Sequence, residues 1–568
     1  MNRLLPVLVS LVAVSPGAML PGALHAQATP SYTHADTLRG SIGASRAWWD
    51  VTFYDLRVRV NPADSSVSGH NAIVYRVLEP GDEMQIDLQT PLQVDSVMQA
   101  GRLLDWTRDG DAWFVLLMNA PRAGDLDTLT VYYSGKPRVA TNPPWAGGLI
   151  LAQDSLGRPW MATANQGLGA SVWWPTKDTQ ADEPQDGQRI AITVPDPMVN
   201  VSNGRLRSVI NNADGTTTWE WYVQEPINNY NVTLTAGPYV HFGDFYDGED
   251  GVLTLDYWPL DYHVDAAREQ FYQVRPMLDC FEHWFGPYPW YRDGFKLIET
   301  PHLGMEHQSG IAYGNRYENG YLGRDLSGTG LGLDWDFIII HESAHEWWGN
   351  NLTSADLADM WVHESFANYA ESIYTECMHG TAAGADYVVG VRRGIRNDRP
   401  IIPAFGVNAQ GSGDMYSKGG NLLHTVRQLV GDDETWRMIL RGLNETFRHS
   451  VVTGEQVVGY ISQQAGTDLG PVFRQYLTTT DIPVLEFARD DDALRYRWAG
   501  VLPEFAMPVE VSMGGDGCTW LNPTSDWQIL PVEAGDPAEI DVDRDYYVRI
   551  KTGEGEPRPA GARCQALP

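Results

Sequence analysis

The spacing of apolar residues changes twice along this chain, and that change limits the possible folds more than any other feature. From about residue 32 to 241, apolar and polar residues alternate in short runs: VTFYDLRVRV (51–60), MQIDLQ (84–89), TLTVYYSG (128–135) and TWEWYVQ (218–224). Gly, Pro and Asn-Asn separate them. A period of two sends successive side chains to opposite faces of a strand, which predicts an antiparallel sheet or sandwich. Near Asp265 the period lengthens. DAAREQFYQVRPMLDCFEHWFG carries apolar residues at helical intervals and stops at Gly286, and helical patterns prevail to about residue 480. After Pro483 short alternating stretches return in ALRYRWAG and YYVRIK, predicting a small β domain. The expected architecture is multidomain α+β: an N-terminal antiparallel β-sandwich (29–245), a mostly helical domain (246–485) and a small C-terminal β domain (486–568).

Residues 1–28 read as a signal peptide rather than part of the fold. Arg3 supplies a positive start, Leu4 to Leu20 an apolar stretch broken by Pro6 and Pro16, and Ala23, Ala26 and Ala28 a cleavage site. No stretch has the unbroken apolar length of a membrane span, so the expected protein is exported and soluble, periplasmic or extracellular. The net charge of −33 excludes nucleic acid and anionic membrane surfaces as partners and reads as solubility, with a weaker pull on cationic groups such as peptide amines. Of the four cysteines, Cys518 and Cys564 share the last segment and form a plausible disulfide. Cys280 and Cys377 lie in helix-like stretches and read as buried thiols, with a disulfide between them as the alternative. The acidic clusters Asp490–Asp492 and Asp541, Asp543, Asp545 lack calcium-loop spacing and read as solvated turns. Oligomeric state has no sequence signal.

The chemistry concentrates in His341-Glu342-Ser343-Ala344-His345. Residues four apart on a helix share a face about 6 Å apart along the axis, so both imidazoles can reach one Zn²⁺ at about 2.0–2.1 Å. Glu342 points to the same side, as a general base acting on a metal-activated water would. The preceding DFIII holds the helix in a core, and Trp347 and Trp348 read as core residues beside it. A catalytic zinc takes three protein ligands and leaves one position open. Glu364 in MWVHESFANYAES is placed to be the third, because a polar segment, GNNLTSADLAD, lets the chain reverse between the two helices. His363 and Asn368 flank it as candidates for orienting a ligand imidazole.

His-Glu-x-x-His, eighteen intervening residues and then Glu resembles the pattern of the gluzincin zinc aminopeptidases, the family of aminopeptidase N and leukotriene hydrolase. LGMEHQ (303–308) is similar to the family's Gly-x-Met-Glu-Asn motif and MYSKGG (415–420) to its Tyr-x-Lys-Gly motif. The close likeness spans about 160–485. It implies a thermolysin-like catalytic domain with one zinc per chain, held by His341, His345 and Glu364, and Glu342 as general base. It further implies that Tyr416 donates to the oxyanion and Glu306 binds the substrate's free α-amine. Gly304 and Met305 would then pair with the substrate backbone, and Gln166 in ANQGLGASVWWP would sit beside the amine. Lys418 reads as a surface or structural lysine, with a substrate contact as the alternative. Leu303 and His307 depart from the family motif, which bears on the shape of the first pocket, and there is no room for the long C-terminal helical domain that many members carry. The expected activity is removal of N-terminal residues from peptides with a free N-terminus. Two rivals remain: a thermolysin-like endopeptidase using the same zinc, which Glu306 argues against, and a silent peptide-binding protein on the same fold, which the intact Glu342, Tyr416 and ligands argue against.

Overall fold

The computed structural model describes residues 31–118, 120–489, 493–513, 517–531 and 540–564. The leader 1–28 and the Asp490–Asp492 cluster lie outside them.

The N-terminal region is built from strands, as its alternation requires. Trp49–Asn61 is the spine of an eight-stranded sheet, with Trp49, Val51, Tyr54, Leu56, Val58 and Val60 turned into the core. It pairs antiparallel with Ser66–Val77 on one side and parallel with Gln188–Pro195 on the other. A four-stranded sheet, in the order Val199–Val201, Thr235–Gly237, Pro159–Ala164, Gly148–Gln153, contributes Leu149, Met161, Val201 and Ala236 to the same core. Sheets that share one apolar interior form the expected sandwich.

The middle region opens with a five-stranded sheet in the order Phe242–Gly248, Gly251–Trp258, Phe295–Glu299, Ile311–Tyr313, Gly304–Met305. Gly304–Met305 is therefore an edge strand, paired only with Ile311–Tyr313 among the described residues. Four helices pack beside this sheet and around the His341–His345 segment: α1, Val274–Phe285; α2, Phe337–Ala344; α3, Trp361–His379; and α4, Ser417–Val430. No described helix is long and apolar enough to cross a membrane. The C-terminal region holds a five-stranded and a three-stranded sheet whose core is continuous with that of the helices. The divisions expected after 245 and 485 fall inside the strands Phe242–Gly248 and Val484–Arg489.

Cys518 and Cys564 are disulfide-bonded, as expected. Cys280 and Cys377 are also bonded and are not thiols: α1 and α3 pack together and bring their Cα atoms to 6.1 Å, within bridging distance. No described cysteine is free.

Candidate active site

α2 begins at Asp336, whose carboxylate accepts hydrogen bonds from the backbone N–H of Ile338 and Ile339. This is the standard solution for unpaired amides at a helix start. Ile338, Ile339 and Ile340 are fully buried, so the helix is anchored on an apolar face and His341 and Glu342 are carried to a fixed place. The helix ends at His345, and the chain turns through Trp347 and Trp348, both in the core; Trp348 stacks on Phe366 of α3 at 4.4 Å. α3 returns alongside α2 with Glu364 in its first turn.

This packing gathers His341, His345 and Glu364 into one buried cluster. The Nε2 atoms of the two histidines lie 3.4 Å apart, and Glu364 Oε2 lies 3.7 Å from His341 Nε2 and 3.4 Å from His345 Nε2. A tetrahedral zinc with ligand bonds of 2.0–2.1 Å requires donor separations of about 3.3–3.4 Å, close to what is observed. Tautomers follow from the outer contacts. His345 Nδ1 lies 2.9 Å from the carbonyl oxygen of Trp348, and His341 Nδ1 lies 2.9 Å from Glu371 Oε1. A carbonyl and a carboxylate only accept, so each Nδ1 carries the hydrogen and each Nε2 turns a lone pair inward. Glu364 Oε2 is buried without a hydrogen-bond partner. Three converging acceptors repel unless a cation lies among them, so the donor set fits zinc.

The cluster opens on a cavity of about 590 Å³ that is also lined by Gln166, Met305, Glu306, Glu342 and Tyr416. Burial raises Glu342 above the ordinary carboxylate range. Gly304 lies against it: a Cβ there would come within 2.5 Å of Glu342 Oε1. Glu306, at the end of the edge strand, is nearly fully buried; its Oε1 accepts hydrogen bonds from Gln166 Nε2 at 2.5 Å and the Tyr230 hydroxyl at 3.2 Å. Tyr416 sits between a short turn and α4, its ring centroid 6.0 Å from that of His341. Ser365 of α3 donates to the Met415 carbonyl at 2.7 Å, which ties this turn to the ligand helix. Gly419 and Gly420 allow the approach, since a Cβ on either would strike Ser365 or Asn368. Burial, with Glu364 and Glu306 nearby, pushes the Tyr416 phenol well above its ordinary value, so it remains a donor.

Residues 274–476, which carry this cluster, match the Peptidase family M1 domain. The chain carries a family M1 domain. Among similar proteins are the "Probable aminopeptidase 1" of Sulfurisphaera tokodaii, 23% identical over 39% of this chain and 30% of that protein, and the "Leucine aminopeptidase 2" of Vanderwaltozyma polyspora, 24% identical over 58% of this chain and 48% of that protein. The chain thus spans less than half the length of these curated relatives. A crystal structure of an M1 zinc metallopeptidase from Deinococcus radiodurans bound to a Tyr-Ser-Ala substrate superposes with a TM-score of 0.64 at 21% identity, covering 77% of this chain and 96% of that one. That likeness establishes the shared fold.

Within this M1 domain and the strands beside it, all nine residues singled out from the sequence line the cavity or its metal cluster: Gln166, Gly304, Met305, Glu306, His341, Glu342, His345, Glu364 and Tyr416. The flanking residues divide. His341 is oriented by Glu371, and Asn368 stands one step further out, donating to Glu371 at 3.1 Å. His363 instead accepts the Ser354 backbone N–H and bonds neither ligand ring. Lys418 is buried and donates to the Thr479 carbonyl, a structural contact. Sequence reasoning missed Glu371 and Tyr230. Glu371 follows Glu364 by seven residues, two turns along the same helix face, and that spacing could have revealed it. Tyr230 lies in a three-residue turn, Asn229–Asn231, with no motif around it.

Proposed function

We propose that this protein is a zinc-dependent aminopeptidase, with one zinc per chain held by His341, His345 and Glu364. The observation that carries the proposal is Glu306: a buried carboxylate, braced by Gln166 and Tyr230, lining the same cavity as the three inward-facing acceptors. A carboxylate there is suited to a protonated α-amine, which is substantially charged near neutral pH. An internal segment of a longer peptide offers no such cation.

Zinc supplies a Lewis acid that activates water and polarises the scissile carbonyl. Glu342 takes the proton of the attacking water and delivers it to the departing amine. The Tyr416 hydroxyl donates to the oxygen that gains negative charge at the carbonyl. Gly304 and Met305 offer their unpaired strand edge to the substrate backbone, setting the carbonyl against Glu342. Glu371 and the Trp348 carbonyl hold the two ligand imidazoles in place. Export belongs to the same proposal: both disulfides suit an oxidising compartment, and the apolar leader supplies the route.

The test uses the purified mature protein, its metal content and an aminoacyl-arylamide. The expected result is near-stoichiometric zinc, turnover abolished by a chelator and restored by zinc, and no cleavage of an N-acetylated peptide. Internal cleavage of the acetylated peptide would instead indicate an endopeptidase. A protein that binds zinc and peptides without turning over any would be a binding protein.

A further inference from the structure

A second cavity, of about 470 Å³, lies at the other end of the segment that carries Glu306. Leu303 lines both cavities, so the second one adjoins the catalytic cavity at that residue. One of its groups has no task in the fold. Arg316 is exposed at the rim with no ion pair or hydrogen bond to the described residues. Its backbone and that of Tyr317 both adopt φ of 59°, in the left-handed region. Bonds to Tyr317 hold them there: its N–H donates to the Tyr313 hydroxyl at 2.9 Å and its hydroxyl to Glu299 at 2.7 Å. The guanidinium is thus presented on a pinned loop.

The two carboxylates in this cavity do not compete for it. Asp154 is bonded to Arg158 at 2.7 Å. Glu299 already accepts from Tyr317 and the Leu260 backbone and pairs with His263. A carboxylate arriving from outside therefore finds an unpaired cation.

The direction of a bound peptide follows from the catalytic site, and this step rests on the aminopeptidase reading. The amine lies at Glu306, and the scissile carbonyl lies by Gly304, whose missing Cβ would touch Glu342. The peptide must then run opposite to the protein strand, passing Leu303 toward His302. Glu306 and His302 are four residues apart, roughly 13 Å of extended chain at about 3.3 Å per residue.

We propose that this cavity receives the C-terminal end of short peptides, four or five residues long, with Arg316 binding the terminal carboxylate. Short oligopeptides with a free C-terminus are then the preferred substrate class, and Arg316 is a specificity-determining residue.

The experiment compares leucine-initiated alanine peptides of two to eight residues, each as the free acid and as the C-terminal amide, on the zinc-loaded full chain. In the wild type, kcat/KM for the acid is expected to exceed that for the amide by about tenfold at four or five residues, and the difference to shrink at other lengths. In Arg316→Ala the ratio falls to about one, and in Arg316→Glu it inverts in favour of the amide. Equal rates for acid and amide at every length in the wild type, or a ratio that survives Arg316→Ala, would overturn the proposal. Turnover of leucyl-arylamide by the wild type, measured alongside, separates that result from failure of the aminopeptidase reading itself.

Discussion

Gly304→Ala is the most discriminating change available at this site, because it adds one methyl group at a known distance from the proposed base. The new Cβ would lie 2.5 Å from Glu342 Oε1 and 3.0 Å from two atoms of Ile338. Carbon and oxygen rest comfortably at about 3.4 Å, so the carboxylate must retreat by about 0.9 Å. A carboxylate at the end of a flexible side chain gives way easily, and the variant should fold with a loss of about 1 kcal/mol. The displaced group is nevertheless the one that must meet the attacking water. A misplacement of about 1 Å costs on the order of 100-fold in rate, or about 2.7 kcal/mol of barrier. The assay is kcat for an aminoacyl-arylamide at saturation, with zinc content measured on the same sample. The expected outcome is a fall of about 100-fold at unchanged zinc. A kcat within threefold of wild type would mean that Glu342 does not act from the position it occupies beside Gly304. A parallel loss of zinc would also refute the reasoning, since the nearest atoms to the methyl group belong to Glu342 and Ile338 rather than to a ligand.

The geometry sets three other outcomes. Glu371→Gln keeps the volume but removes the charged partner of His341 Nδ1, so zinc affinity in a chelator competition should fall by about 10- to 100-fold with the fold intact. Glu306→Ala should lower kcat/KM for substrates with a free amine by about 100-fold or more while zinc content stays at one per chain, because the amine loses its carboxylate. Cys377→Ser opens a crosslink spanning 97 residues and should cost about 2–5 kcal/mol in denaturant unfolding, and added reductant should lower the wild-type Tm more than that of the variant.

Much of the candidate site was legible because its chemistry is local. His341, Glu342 and His345 lie within one helical turn and a half, and the strand and loop carrying Glu306 and Tyr416 have recognisable neighbours. The strands of the N-terminal region could be read because burial on one face imposes alternation on every residue of Trp49–Asn61. What stayed hidden depends on distant segments meeting. The parallel pairing of Trp49–Asn61 with Gln188–Pro195 leaves no mark in either strand taken alone. Cys280 and Cys377 looked like core thiols because nothing within a helix tells which other helix it will touch. Tyr230 and Arg316 sit in turns whose composition signals only a change of direction.

Gln166 and Tyr230 come from the strand-built N-terminal half, whereas Glu306 and the histidines belong to the helical half. Each half thus leaves the amine pocket unfinished: one brings the carboxylate, the other the two side chains that hold it still. Exchange of the first 240 residues between such proteins would accordingly retune how firmly that carboxylate is held while the hydrolytic apparatus is inherited whole.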